Sequence, residues 1–161
     1  MGAVVALAAI GGGCRDGDDK LSAEDYYKQL ETISQDVDKK IEANNARTPV
    51  SEEPAAQKDF LVKLLEDNVG LVEDATKKIE ALKPPDDVKP KHDTFVAAIK
   101  AQTAAVKDVR DTVKDTAPEQ VEPLLPTLDL ADGRAAADAA CTALQDDAKS
   151  KNVTVELKCG D

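Results

Sequence analysis

The chain has 161 residues, the length of one domain or a small pair, and carries 32 acidic against 21 basic side chains for a net charge of −11. A surface of that sign repels a polyanion, no run of clustered Lys/Arg offsets it, and aromatic residues make up only 2% of the chain, so nucleic acid is not the expected partner. Apolar residues still reach 42%, over a third of them alanine, which is enough for a helical core that is long rather than thick.

The first element is a leader. Ala3 to Ile10 is an unbroken apolar run, followed by Gly11, Gly12, Gly13 and Cys14 and then by the charged stretch from Arg15 to Lys20. As a helix the run would span about 12 Å against a hydrocarbon core of roughly 30 Å, too short for a transmembrane segment. Its length suits the apolar region of a signal peptide, with small residues ahead of the processing point. A cysteine directly after such residues resembles the lipobox of bacterial lipoproteins. The resemblance implies a signal peptide over 1–13, a diacylated Cys14 as mature N-terminus, a charged flexible tether over 14–20 and a helical domain over 21–161. The alternatives are a Gly-rich flexible leader with an incidental cysteine, or an ordinary cleaved signal peptide. Myristoylation from Met1-Gly2 is disfavoured, because Ala6 stands where that motif takes Ser or Thr.

If Cys14 is acylated, Cys141 and Cys159 remain as one pair, the even number that an oxidising compartment favours. The strand-like stretch from Val153 to Cys159 is long enough to turn back along the helix that holds Cys141, so a disulfide is expected. Two buried thiols or a metal pair are the other readings, although zinc needs about four ligands and a single histidine with two distant cysteines falls short.

Four helical segments follow the leader. In the first, Ser22 is a candidate cap, Asp25 suits the positive dipole end and Leu21 can staple onto Tyr26; Tyr26, Leu30, Ile33, Val37 and Ile41 then share one stripe. The pairs Glu24/Lys28 and Asp36/Lys40 decorate its outer face, and it should end near Asn44-Asn45. The second runs from Pro54 to Leu82 in a 4-3 rhythm interrupted at Asn68, and Pro84-Pro85 stops it. The third steps strictly by four and three from Val88 through His92, Phe95, Ile99, Gln102, Val106 and Val109 to Val113, with Pro90 tolerated in its first turn. Pro118, Pro123 and Pro126 break the pattern before a fourth segment from Thr127 to Lys151, whose seam is Ala137, Cys141, Leu144 and Ala148. Each stripe must be buried against another helix, and the short connections predict an all-α fold, an antiparallel three- to four-helix bundle with a disulfide-tethered extended C-terminal tail. A coiled-coil oligomer is the alternative arrangement, and the recurring prolines argue against it.

Candidate chemistry is sparse. His92 is the sole histidine, at a core-stripe position. A functional reading makes it a general base or ligand oriented by Asp86, Asp87 or Asp93; the plainer reading is a half-buried imidazole bonded to the preceding loop. One histidine excludes a paired Glu-x-x-His di-metal site, and neither a haem attachment motif nor an axial methionine is present. Asp16, Asp18 and Asp19 fail the EF-hand pattern, since Leu21 occupies the glycine position, and Asp129 with Asp132-Gly133 fails it too. Asp86-Asp87 and Asp146-Asp147 read as helix-end and surface charges. Ser22, Ser34, Ser51 and Ser150 have no neighbouring base, and the Asn152-Val153-Thr154 sequon carries no weight in a bacterial lipoprotein. Pro84, Pro85, His92 and Phe95 together resemble the helix-opening element of small helical bacterial lipoproteins of uncharacterised role, which implies no activity.

The expected protein is therefore a non-catalytic binding or interaction module without cofactor or metal, held to membrane lipid through Cys14 outside the cytoplasm and available to another envelope protein. A structural or stress-related envelope protein and a His92-dependent hydrolase or metal-binding protein are the alternatives.

Overall fold

The computed structural model describes residues 20–128 and 131–160, without the side chains of Ala131 and Asp132. The leader, Cys14 and Asp129 lie outside the described residues. Within them the chain is all-helical and has no strand: α1 spans Ala23–Asn45, α2 Pro54–Glu80, α3 Lys89–Asp115, α4 Pro118–Leu124 and α5 Ala131–Ser150, with a 3-10 turn at Leu125–Thr127.

Helix α1 begins where the capping signal places it. The Ser22 side chain accepts from the Asp25 amide at 3.1 Å, and Leu21 packs against the cluster that holds Tyr26. The Leu21 amide also donates to the Lys83 carbonyl at 2.8 Å, which ties the start of α1 to the loop after α2. At the other end, the Asn68 that interrupts the apolar rhythm of α2 has a structural use. Its side-chain oxygen accepts from Asn44 and its nitrogen donates to Asn45, both at 3.0 Å, so three amides pin the end of α1 against the middle of α2. Pro54 and Pro90 each occupy a first helical turn, where their missing N–H has no helical acceptor.

Helix α2 packs on α1 and α3, α3 packs on α5, α4 covers part of α2, and α1 meets α5 over a smaller area. Ion pairs cross these seams, with Lys100 on Glu80 and Lys107 on Glu73 between α3 and α2. The main core gathers at one end. It joins Tyr26, Tyr27 and Leu30 of α1 to Ile79 of α2, to Val88, Phe95 and Val96 at and near the start of α3, and to Cys141, Leu144 and Ala148 of α5. Val69, Val113 and Val121 are buried outside it. Gly133 brings α5 close to α3: a Cβ there would stand 3.4 Å from the backbone of Gln102.

Two features correct the expectations. The proline-rich stretch is more than a break, because Pro118 at a first-turn position lets α4 form and bury Val121, and α5 starts at Ala131 rather than Thr127. Tyr27 lies off the predicted stripe yet is fully buried, since the tail and α5 cover that side of α1 as well. The stretch from Val153 onward is the expected extended tail and pairs with no strand. Its backbone is held by side chains instead: Gln145 donates to the Val155 carbonyl at 2.9 Å and accepts from the Leu157 amide at 2.7 Å, while Glu31 accepts from the Glu156 amide at 2.6 Å.

The reversal into this tail is a Schellman motif. Asn152 adopts φ 57°, its amide donates to the Lys149 carbonyl at 3.0 Å, and the Val153 amide reaches the Ala148 carbonyl at 2.9 Å. Asparagine is the non-glycine residue that tolerates this conformation best. Val155 and Leu157 then enter the core, and the Cys141–Cys159 disulfide closes the segment.

Candidate functional site

The core end of the fold carries two buried polar contacts. The Tyr26 hydroxyl and His92 Nδ1 lie 3.0 Å apart, with Tyr26 sealed from solvent and His92 only 5% exposed. The two rings meet edge to face at 5.8 Å. Burial holds the His92 imidazole below its ordinary pKa, against an opposing pull from Asp93, so the ring is neutral at pH 7. The same burial, together with Asp147 and Asp93, pushes the Tyr26 phenol well above its ordinary value.

The second contact centres on Asp147, whose side chain is only 9% exposed. The Tyr27 hydroxyl donates to its Oδ2 at 2.6 Å, Lys91 donates to Oδ1 at 2.6 Å, and Lys151 stands 3.1 Å from Oδ2 while also pairing with Asp87 at 2.9 Å. Burial alone would raise this carboxyl, but the hydrogen bonds from Lys91, Tyr27 and Lys151 outweigh it and bring the pKa down to about 2. Tyr27 is pushed far up, first by burial and then by its bond to Asp147. The reading of Asp147 as a surface charge is thus corrected, whereas its neighbour Asp146 is exposed as expected. The signal that could have found it is weak: Asp147 follows Leu144 by three positions and precedes Ala148, at the margin of the apolar seam.

The His92 imidazole is hydrogen-bonded to Tyr26 rather than to the preceding loop or to a carboxylate orienter. Asp86 is bonded to Lys20 at 2.8 Å, Asp87 to Lys151, and Asp93 to Lys89 at 2.9 Å. What lies beside His92 is an open groove of about 740 Å³ between the start of α3, the end of α2 and Lys20. Its apolar lining residues are Leu82, Pro84, Val96 and Ala97. Four lysines, Lys20, Lys83, Lys89 and Lys100, stand against two carboxylates, Glu80 and Asp93. Lys89 pairs there with Asp93, Lys100 with Glu80 and Lys20 with Asp86.

Cys141 and Cys159, expected as a pair, are joined, with Cα atoms 5.5 Å apart. Among the described residues no group of three His, Cys, Asp or Glu side chains is placed to hold a metal, and no helix is long and apolar enough to cross a membrane. No known protein family, curated protein or solved structure matches the chain.

Proposed function

We propose that the chain is a lipid-anchored, extracytoplasmic binding module, tethered through Cys14 and built as an antiparallel four-helix bundle, with no catalytic role. The observation that carries this reading is the division of the three cysteines. Cys141 and Cys159 form a bridge, the state an oxidising compartment maintains, and Cys14 stands alone behind an apolar run and three glycines, the setting a lipobox provides. Diacylation would make the attachment persistent, since a single chain binds membranes only marginally.

The antiparallel arrangement is supported by the order of cross-helix partners. Between α2 and α3, Glu80 pairs with Lys100 and Glu73 with Lys107, so one index falls as the other rises. Between α1 and α2, Asp36 lies by Lys78 and Asn44 by Asn68, in the same sense. The non-catalytic reading is supported by His92, which is tied to Tyr26 while each carboxylate near it in sequence is engaged by a lysine.

The test is the intact mass of the protein purified from its native membrane. The expected species starts at Cys14, carries acyl mass and lacks two hydrogens for the Cys141–Cys159 bridge. A full-length, unmodified chain with three free thiols would overturn anchor and compartment together.

A further inference from the structure

Tyr26 is sealed from solvent, and His92 Nδ1 is the one hydrogen-bond partner of its hydroxyl among the described residues. A buried O–H is costly to leave without an acceptor, so the phenol donates to Nδ1, which holds a lone pair rather than a proton. This bond ties the first turn of α1 to the first turn of α3 across 66 positions of sequence. The other contact that joins the start of α1 to the chain ahead of α3, the Leu21 amide on the Lys83 carbonyl, contains no titrating group.

Proton uptake reverses the sense of the Tyr26–His92 contact. In an imidazolium both ring nitrogens are donors, so an N–H and an O–H face each other across 3.0 Å. The phenol oxygen can accept from Nδ1 only if its own hydrogen turns away, and no other acceptor for that hydrogen stands among the described residues. The new charge also finds no counter-ion ready for it. Around the ring are Lys20 ahead of α1, Glu80 of α2, Lys83 in the following loop, and Lys89, Asp93 and Lys100 of α3. Asp93 is already engaged by Lys89 and Glu80 by Lys100, while Asp147 of α5, which acts on Tyr26, is held by Tyr27, Lys91 and Lys151. Burial therefore outweighs the pull of Asp93 and Glu80 and keeps the ring below its ordinary pKa of 6.5.

We infer that the Tyr26–His92 contact is an acid-sensitive latch: proton uptake at His92 sets two donors against each other and loosens the start of α1 from the start of α3. The sign follows from the depressed imidazole. Its folded pKa lies below the unfolded value, so the contribution of the latch is complete above about pH 6.5 and is lost as pH falls through the folded value. His92 is the chain's single histidine, and the lysine-bonded carboxyls of Asp36, Asp67, Glu73, Asp87, Asp147 and Glu156 are held below their ordinary values, which assigns the response between about pH 7 and pH 5 to this ring.

The experiment uses the full chain, in which one histidine gives an unambiguous imidazole signal by NMR. Near about pH 7.5 the spectrum should show an unprotonated Nδ1, and the ring should titrate with a midpoint below its ordinary value. Amide protection at Tyr26, Tyr27 and Leu30, corrected for intrinsic exchange, should fall about threefold or more between about pH 7 and pH 5. His92→Asn places an acceptor oxygen near the position of Nδ1 that does not titrate, and should hold that protection level over the same range. Tyr26→Phe removes the opposing O–H and should raise the proton affinity of His92 about threefold, a change that a merely space-filling tyrosine would not produce. A protonated Nδ1 in the neutral ring, an ordinary or raised midpoint, protection that does not change in the wild type, an equal fall in His92→Asn, or an unmoved midpoint in Tyr26→Phe would each overturn the latch. The wild-type titration and exchange decide the matter by themselves if a variant does not fold. None of these readouts involves Cys14, so the latch and the anchor fall separately.

Discussion

The hydroxyl of Tyr26 and the carboxylate of Asp147 are the polar atoms on which the core end depends, and each invites a substitution that keeps the shape. Tyr26→Phe leaves His92 Nδ1 buried without its donor. The expected loss is about 1–2 kcal/mol, read as a lower urea midpoint at unchanged slope. For Asp147 the sign follows from its depressed pKa. The folded state holds the carboxyl at about 2, below its unfolded value of 3.8, so the stabilisation is complete above the unfolded value and is lost as pH falls through the folded one. Unfolding midpoints should drop between about pH 4 and pH 2 by an amount worth roughly 1–2 kcal/mol after solvent screening, and Asp147→Asn should flatten that part of the profile. A wild-type profile already flat there would remove the electrostatic role of this residue. Both side chains illustrate what the chain's pattern conceals. Tyr26 is legible as a core position from its spacing to Leu30, but its bond to a residue 66 positions away is not.

At the scale of elements, the helices were legible almost to the residue where capping and proline chemistry are local. Ser22, Pro54 and the Pro84-Pro85 stop act on the turn they sit in, so no distant contact can shift them far. The region from Pro118 to Leu128 and the C-terminal tail behaved differently. Alternating apolar residues from Val153 to Leu157 suit the expected extended tail, and it stays a tail because a strand needs a neighbour with free backbone groups and every neighbour here is a helix whose own groups are bonded. Gln145 and Glu31 supply the missing partners, and the bridge between Cys141 and Cys159 holds the segment in place over a separation of 18 residues. Replacing both cysteines by serine should cost about 3 kcal/mol on the loop-entropy account and speed amide exchange at Leu157, whereas an unchanged melting temperature would mean that the tail is held by Val155 and Leu157 alone.

For the molecule as a whole, the core is uneven. Both tyrosines and Phe95 lie at the end where the tail and α5 close over α1 and α3, while the buried apolar residues outside that cluster are valines and alanines. That end should therefore govern global unfolding. With phenol pKa values raised by burial above the ordinary value of about 10, Tyr26 and Tyr27 favour the folded state fully below pH 10, and that contribution is lost as pH rises further. Since these are the chain's two tyrosines, phenolate absorbance should stay silent past pH 10 and then appear together with the loss of helix circular dichroism. Phenolate appearing near pH 10 with the helices intact would show that the core end opens to solvent on its own.

From composition and period alone came the all-helical class, the limits of α1, α2 and α3 to within about two residues and the Cys141–Cys159 pair, because each of these follows from local backbone rules or from counting residue types. The Tyr26–His92 bond, the engagement of Asp147 by Lys91 and Tyr27, and the lysine-rimmed groove were decided by tertiary packing. They join residues from different helices, and whether a charge at the edge of an apolar stripe meets water or a partner depends on which helix comes to lie over it.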